Sequence, residues 1–187
     1  MNIYDFDGTI YDGDSSIDFI LYCFKVKKKT LLKVPIIIIN AFLYIFKIID
    51  AKKLKNSVFS ILKYIDNVDD LLKTFWETHD KKIKEFYKKQ HKDTDIIASA
   101  SPEFLLNPVS EKYNFKLIAT KMDKKTGIII GNNCHDKEKV RRLKEIGVNK
   151  CNEFYSDSFS DTPVKNIAKK GYIVKKDKII PWEEYRK

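Results

Sequence analysis

The sequence predicts an α/β protein built on a doubly wound parallel sheet, with an all-helical segment inserted between its first two strands. Three observations lead to this expectation. Short β-branched and aromatic runs end at turn residues, helical patterns separate the later runs, and residues 15–90 show long apolar periodicity without a strand or turn signal. Strands that alternate with helices are typical of a parallel sheet.

Four short runs are predicted to form the core strands of this sheet. They are residues 2–6, 95–99, 117–120 and 154–155. The first run carries Asp5 near its end, and Asp7 and the turn residue Gly8 follow it. This pattern fits a buried strand that delivers carboxylates to a loop.

Helical patterns follow the later strands. We expect helices over residues 102–113, 137–146 and 162–170. Gly147 and Gly171 are the predicted ends of the last two. Residues 121–131 indicate a β-hairpin extension, and residues 172–182 hold two short strand-like pieces.

The helical segment divides the chain into two predicted parts: residues 1–13 plus 93–187 form the α/β core, and residues 14–92 form a helical cap. The chain has 36 Lys and Arg against 26 Asp and Glu, a formal net charge of +10. Residues 14–92 hold 17 of the basic and 9 of the acidic residues, and therefore most of the excess. The excess favours a local positive surface facing an anionic partner, and lysines that simply solvate helices explain it equally well.

Residues 34–46 are the most unusual part of the predicted cap, because Asn40 is the only polar residue among thirteen. The run is well short of the ~20 apolar residues of a membrane span. It is therefore either a helix buried inside the cap or an element that lies in a membrane interface. Its length favours the buried helix, and the interfacial alternative stays open.

Composition narrows the class of protein. The chain has 187 residues, with 43% hydrophobic and 33% charged residues, as in a globular protein. Three Cys residues cannot form a disulfide framework, and we expect them to be buried apolar groups. No secretory signal opens the sequence, so we expect a cytoplasmic location. No nucleic-acid-binding signature accompanies the positive charge, so nucleic acid is not an expected partner.

Acidic side chains follow two of the predicted strands. Asp5 and Asp7 lie two residues apart at the end of the first, and Asp157 and Asp161 follow the fourth. The carboxyl ends of parallel strands meet at the sheet edge where such folds hold their ligands. Close carboxylates repel unless a cation or a proton lies between them, and oxygen ligands suit Mg²⁺. The four acids therefore predict a magnesium site with divided catalytic roles.

Two further segments predict an anion site beside these acids. Ser99 follows the second strand, and we expect its hydroxyl and the free amides of Ala100 and Ser101 to form an anion-binding corner before a helix. Lys139, in the first turns of a later helix, can supply a fixed positive charge to a phosphate.

In order and spacing, these segments resemble the haloacid dehalogenase superfamily, specifically its phosphatase branch with a helical cap between the first two motifs. The motifs are DFDGTI at residues 5–10, IASASPEF at 97–104, NCHDKEKV at 133–140 and YSDSFSDTP at 155–163. The resemblance covers nearly the whole chain and implies a Rossmann-like core. Ser156 is a mild departure, since many members carry Gly there.

The resemblance implies roles for the individual residues. Asp5 would be the nucleophile and Asp7 the general acid and base. Phosphate would be held by Ser99, Ala100, Lys139 and Phe6. Asp157 and Asp161, together with Asp5 and Asp7, would hold Mg²⁺. Dehalogenases of the superfamily lack the second acid of the first motif, so Asp7 favours phosphoryl transfer over carbon–halogen cleavage.

The expected reaction is Mg²⁺-dependent hydrolysis of a phosphomonoester through an aspartyl-phosphate. Within the superfamily the chain is similar to the phosphoserine phosphatase-like group, and more weakly to phosphatidylglycerophosphatases of the same fold. A free-serine substrate would need groups for an ammonium and a carboxylate, for which Asp14, Asp18 and Glu77 are the candidates. One alternative is a lipid phosphatase at a membrane surface, whose cap would contact anionic lipid. The other alternative is a phosphotransferase.

Overall fold

A computed structural model describes residues 1–176 and 178–186 of the chain. Six strands form one sheet: β1 (Ile3–Tyr4), β2 (Ile96–Pro102), β3 (Lys116–Thr120), β4 (Cys151–Ser156), β5 (Ala168–Lys175) and β6 (Lys178–Pro181). Their spatial order is β3-β2-β1-β4-β5-β6. All neighbours pair in parallel except β5 and β6, which are antiparallel. The predicted α/β fold class with a doubly wound, mostly parallel sheet is confirmed.

Helices precede and follow the strands as the sequence indicates. They are α1 (Ser15–Val26), α2 (Val34–Ile45), α3 (Ala51–Phe59), α4 (Val68–His79), α5 (Glu85–Gln90), α6 (Glu103–Tyr113), α7 (Lys137–Glu145) and α8 (Thr162–Lys165). The 3-10 helices are Lys28–Lys33, Ser60–Tyr64, Asp80–Lys82 and Phe159–Asp161. Helices α1 to α5 lie between β1 and β2, in the segment called the insert from here on (residues 14–92). The boundaries of the insert as a separate domain stay a prediction.

The register of β1 brings the polar segments together. Ile3 is opposite Ile96 of β2 on one side and Phe154 of β4 on the other. Because the three strands run in parallel, their carboxyl ends lie side by side at one edge. The residues that follow β1 and β4, and those at the end of β2, therefore share that edge.

Alternate residues of β1 pack on opposite faces of the sheet. Ile3 belongs to an apolar cluster with α7, α8 and the C-terminal segment, and Tyr4 to a larger cluster on the other face. The larger cluster includes Phe75 and Trp76 of α4. The indole nitrogen of Trp76 donates to the carbonyl of Leu105 at 2.7 Å, which ties the insert to α6.

The predicted helix over residues 162–170 is wrong beyond its first turn. Helix α8 covers only Thr162–Lys165, and Gly171 lies inside β5, opposite Phe154 of β4. A Cβ at Gly171 would lie 2.6 Å from Cγ of Lys165. Gly171 therefore permits close packing between strand and helix and does not end a helix.

Three smaller predictions are confirmed. Met122 bridges Ile129 across a turn, which gives the expected hairpin at residues 121–131. Strands β5 and β6 form the two expected strands near the C-terminal end. The three cysteines are buried and free, as expected.

The predicted burial of residues 34–46 is wrong. No residue of α2 is buried, and Phe42 and Ile45 are 58% and 70% exposed. The side of α2 that faces the protein is held by Ile37, which packs on the core, and by Asn40, whose amide donates to Ser57 at 3.0 Å. The length of an apolar run does not by itself predict burial, because this helix packs against the protein on one side only. In the described part of the chain, no helix is both long and apolar enough to cross a bilayer.

Candidate active site

The loop after β1 begins the site. The amide of Asp5 donates to Tyr155 at 2.9 Å, so the strand pairing with β4 continues to the first acid. The carbonyl of Phe6 then accepts the amides of Ile10 and Tyr11 at 2.9 and 3.0 Å, which closes a tight turn. The Phe6 ring is fully buried and stacks on Tyr11, so any contact of Phe6 with a phosphate must come from its backbone.

Gly8 makes this turn possible in two ways. Its φ of +70° lies in the left-handed region, which glycine adopts without strain. A Cβ at this position would also lie 2.6 Å from Oδ2 of Asp157. The absence of a side chain therefore lets the loop after β4 approach the loop after β1.

Lys139 lies between two of the predicted acids. Its Nζ donates to Oδ1 of Asp5 at 2.7 Å and to Oδ2 of Asp161 at 2.9 Å. All three residues are less than one-tenth exposed. The site therefore joins groups that are 134 and 22 residues apart in sequence into one buried ionic network.

Burial and the neighbouring opposite charges have opposite effects on the pKa values in this network. Burial opposes the charged form of Lys139, but the facing carboxylates of Asp5 and Asp161 outweigh it and hold its pKa above the usual range. Burial raises the pKa of Asp5 above its ordinary value, and Lys139 offsets part of that effect. A buried ammonium beside two buried carboxylates is a permanent positive charge at the bottom of the site.

Asp161 has one oxygen engaged and one oxygen without a partner. Its Oδ2 accepts from Ser156 Oγ at 2.9 Å as well as from Lys139. Its Oδ1 is buried and finds no hydrogen-bond donor in the described part of the chain. Such an orphaned anionic oxygen is costly unless a cation or water reaches it. Burial also raises the pKa of the nearby Asp157.

Asp7 is held from two sides by the insert and by the end of β2. Its Oδ1 accepts the amide of Ser15 at 2.6 Å, and its Oδ2 accepts the hydroxyl of Ser101 at 2.6 Å. Burial, followed by the charge of Asp14, raises the pKa of Asp7 to about 6. A carboxyl group with a pKa near neutrality can release and take up a proton during a reaction.

The end of β2 differs from the expected anion corner at one atom. Ser99 is buried, and the amide of Ser101 donates to the Ser99 hydroxyl at 3.0 Å and is not free. Strand β2 extends to Pro102, and helix α6 begins at Glu103. The helix start lies further along the chain than the sequence indicates.

Lys55 of α3 is a polar group that the sequence reasoning missed. Its Nζ donates to the carbonyl of Ala100 at 2.8 Å and to Oδ1 of Asn133 at 3.2 Å. Burial lowers the pKa of Lys55. No pattern singles out Lys55 among the ten lysines between residues 19 and 65, because its position depends on how the insert folds back over the sheet edge.

Two adjoining cavities lie at this edge. The catalytic cavity is lined by Asp5, Asp7, Lys139, Asp157 and Asp161, together with residues of the insert. The apolar cavity is lined chiefly by aliphatic and aromatic side chains of α1, α2 and α3, among them Ile17, Ile20, Leu21, Tyr44, Leu54, Val58 and Phe59. Both cavities share Asp14, Lys55, Ala100 and His135, so they meet at these residues.

The groups considered for recognising a free amino acid are not gathered here. Asp18 pairs with Lys82 at 2.5 Å and accepts from the Tyr11 hydroxyl at 2.6 Å. Glu77 lines a different cavity, against α6. Of the three candidates, Asp14 alone borders the two cavities at the sheet edge.

The donor chemistry of the catalytic cavity fits a hard cation. Asp5, Asp7, Asp157 and Asp161 all line it, and Asp161 presents its unpartnered Oδ1. In the described residues, no three acidic, His or Cys side chains are grouped tightly enough to hold a metal ion. Lys139 instead bridges two of the acids in this structure.

A parallel sheet that collects buried carboxylates and a buried lysine at its carboxyl edge, under a helical insert, is typical of an α/β protein that binds its ligand at this edge. The family model for haloacid dehalogenase-like hydrolases matches residues 3–164. The chain belongs to this family, and the resemblance drawn from its four motifs is confirmed at the family level.

Solved structures share the fold at low sequence identity. A Bordetella pertussis Tohama I protein of unknown function matches with a TM-score of 0.71 at 16% identity, over 91% of this chain and 87% of that one. A phosphoserine phosphohydrolase-like protein from Francisella tularensis matches at 0.55 and 15%, over 91% and 84%. A phospho-aspartyl intermediate analogue of phosphoserine phosphatase matches at 0.52 and 15%, over 91% and 83%. None of the curated proteins matches the chain.

Proposed function

We propose that the protein is a Mg²⁺-dependent phosphomonoester hydrolase that works through an aspartyl-phosphate on Asp5. The carrying observation is the buried network in which Lys139 joins Asp5 to Asp161 beside the clamped carboxyl group of Asp7. The similar structure of a phosphoserine phosphatase with a phospho-aspartyl analogue supports the same chemistry on this fold.

The first half of the reaction is attack by Asp5. Lys139 holds Oδ1, which leaves Oδ2 to attack phosphorus while the bond from phosphorus to the ester oxygen breaks. Asp7 donates its proton to the departing oxygen, so that an alcohol leaves. The pKa of about 6 gives Asp7 a protonated fraction at near-neutral pH.

The second half of the reaction is hydrolysis of the intermediate. Asp7, now a carboxylate, takes a proton from a water molecule as that water attacks phosphorus. The bond between phosphorus and Asp5 breaks, and inorganic phosphate and the free carboxylate result. Ser99 and Lys139 donate to the phosphoryl oxygens throughout, and closure of the insert over the edge keeps bulk water out. An alcohol in place of this water would make the enzyme a phosphotransferase.

Mg²⁺ would be held by Asp5, by the Asp7 backbone and by the acids of the loop after β4, Asp157 and Asp161. When bound, it would neutralise part of the charge on the phosphoryl group and so lower the repulsion between two anions. The unpartnered Oδ1 of Asp161 supports this assignment. Activity should fall to background in excess EDTA and return with Mg²⁺. Full turnover in EDTA would rule the metal role out.

The apolar cavity favours a phosphate ester whose alcohol is apolar, including a lipid-linked one, over phosphoserine. A leaving group that extends from Asp5 past Lys55 and Ala100 enters the apolar cavity, where Leu21, Leu54 and Val58 form part of the wall. Each buried CH2 contributes ~0.8 kcal/mol, about a fourfold gain in affinity. We therefore expect kcat/KM to rise steeply along a series of alkyl phosphates.

A panel of methyl, butyl and octyl phosphate with phosphoserine tests the substrate class. Leu21→Gln should lower kcat/KM for octyl phosphate about tenfold and leave methyl phosphate within twofold, because Leu21 lines the apolar cavity but is 57% exposed and carries little of the core. A preference for phosphoserine over octyl phosphate, with no effect of Leu21→Gln, would contradict the apolar substrate class and leave the hydrolase in place.

A further inference from the structure

Helix α2 presents an outer face that has no polar side chain. The face consists of Ile38, Ile39, Phe42, Ile45 and Phe46, which are 50% to 71% exposed, and it is called the docking face below. These residues share one side because they are spaced three, four and seven apart in a helix. A helix face that meets only water normally carries charged residues, so this face is unusual for a surface that stays free.

Neighbouring segments extend the same apolar surface. Leu31 and Leu32 before α2 are 46% and 69% exposed, and Ile48 after it is 67% exposed. Of the seventeen large hydrophobic side chains exposed in the described part of the chain, thirteen lie between Ile17 and Ile48. The apolar exposure is therefore concentrated in one part of the insert and not spread over the molecule.

Lysines surround the docking face on both sides in sequence. Exposed lysines precede it at positions 25, 27, 28 and 29, and Lys47 follows it. Between residues 19 and 65 the chain has ten lysines and one acid, Asp50. The docking face therefore lies within a strongly positive part of the surface.

The charge distinguishes between two candidate occupants. In a twofold dimer of this chain, the same lysine-rich rims would face each other and repel. A bilayer that contains anionic lipid instead offers an apolar interior for the docking face and negative headgroups for the lysines. The helix has 12 residues, ~18 Å, and cannot span a hydrocarbon core of ~30 Å, so it would lie in the interface.

We propose that the docking face of α2, with the lysines beside it, binds the surface of an anionic bilayer. Tyr44, on the same helix, also lines the apolar cavity, so the bound insert would hold the mouth of that cavity against the lipid. This surface interaction does not depend on the proposed hydrolysis. Binding and turnover are measured separately.

Vesicle co-sedimentation of the full chain tests the proposal. We expect the protein to sediment with phosphatidylglycerol-containing vesicles at low salt, to be released at high salt, and to stay in the supernatant with phosphatidylcholine alone. Ile38→Ser with Phe42→Ser should lower the partition coefficient about 100-fold. The matched control, Ile128→Ser with Ile130→Ser, removes two exposed apolar side chains elsewhere and should bind like wild type.

The lysines are tested in the same assay. Lys28→Gln with Lys29→Gln should weaken binding about 30-fold, since each lysine contributes ~1 kcal/mol near an anionic surface. Lys144→Gln with Lys150→Gln removes the same charge from exposed positions of the core and should have little effect. Equal loss in both pairs would show nonspecific charge attraction and would overturn the assignment to this face.

Two outcomes would overturn the proposal directly. The first is wild-type protein that remains in the supernatant with anionic vesicles at low salt. The second is a dimer in sedimentation velocity that Ile38→Ser with Phe42→Ser converts to a monomer, without vesicle binding by the wild type. That result would assign the docking face to a second copy of the chain. Normal phosphatase turnover in either case would leave the proposed function intact.

Discussion

The carboxyl edge of the sheet and the outer face of α2 depart from the usual distribution of residues in opposite ways. At the edge, Asp5, Lys139 and Asp161 are charged and buried. On α2, Phe42 and Ile45 are apolar and exposed. Neither arrangement stabilises the fold by itself. Burying a charge costs desolvation free energy, and an apolar side chain that stays exposed contributes no hydrophobic stabilisation.

The two regions differ in whether their side chains find interaction partners within the chain. The ionic network is nearly complete within the chain, because Lys139 faces both Asp5 and Asp161, although the buried Oδ1 of Asp161 lacks a hydrogen-bond partner in the described residues. Helix α2 has no partner on its outer side within the described structure. Changes at the edge should therefore affect catalysis, and changes on α2 should affect association and leave catalysis alone.

The largest expected effect is that of Asp5→Asn. The amide is nearly isosteric but cannot form an acyl-phosphate, so phosphatase activity should fall by on the order of 10⁴-fold or more with little change in thermal stability. Asp12→Asn, an exposed acid in the same loop, is the control and should retain activity. An Asp5→Asn enzyme within tenfold of wild type would refute the nucleophile assignment.

Lys139→Ala should have the next largest effect, on both activity and stability. It removes a buried positive charge from two buried carboxylates, which costs about 3 to 5 kcal/mol of folding free energy unless an acid takes up a proton. Activity should fall about 100-fold to 1000-fold. Lys137→Ala, on the exposed side of the same helix, should change neither urea unfolding nor kcat/KM, and an equal effect of both variants would argue against the network.

Gly8→Ala should have an intermediate effect that separates backbone strain from crowding. Gly8 and Gly131 both have positive φ, and a Cβ meets Asp157 at Gly8 but nothing within 4 Å at Gly131. Both alanine variants should lose ~1 kcal/mol of stability from the left-handed backbone. Gly8→Ala alone should also lose activity, by about tenfold or more, because Asp157 must move. Equal activity in the two variants would argue against a role of Asp157 in the site.

The smallest expected effect is that of Ile38→Ser with Phe42→Ser on the protein in solution. Exposed side chains contribute little to folding, so the free energy of unfolding should change by less than ~1 kcal/mol and kcat/KM for a short, water-soluble phosphate should stay within twofold. A loss of several kcal/mol would mean that the helix is buried, as the length of the apolar run suggested.

The sheet and the acidic residues of the site were predictable because short-range patterns encode them. A β-branched run followed by Asp5 and Asp7 indicates a strand and its loop without any knowledge of distant contacts. Parallel pairing then brings the residues after β2 and β4 to the same edge. The order of the motifs along the chain is therefore enough to predict which segments meet at this edge.

Predictions failed where a distant contact decides the structure. Residues 168–170 continue a plausible helical pattern, but pairing with β4 makes them part of β5. The burial of α2 depends on how much of the insert folds over it, and the role of Lys55 depends on where α3 meets the sheet edge. Local spacing contains none of this information, because the partners are tens of residues away.

Covalent trapping of the phosphoryl group tests the central claim most directly. Asp7→Asn keeps the nucleophile and loses the base that activates water, so incubation with acetyl phosphate, whose leaving group needs no acid, should accumulate an aspartyl-phosphate. Acid quench and intact-mass measurement should show one added phosphoryl group, and peptide mapping should place it on Asp5. Asp5→Asn with Asp7→Asn should show none. No adduct on Asp7→Asn or wild type, or an adduct that persists in the double variant, would contradict Asp5 as the attacking group.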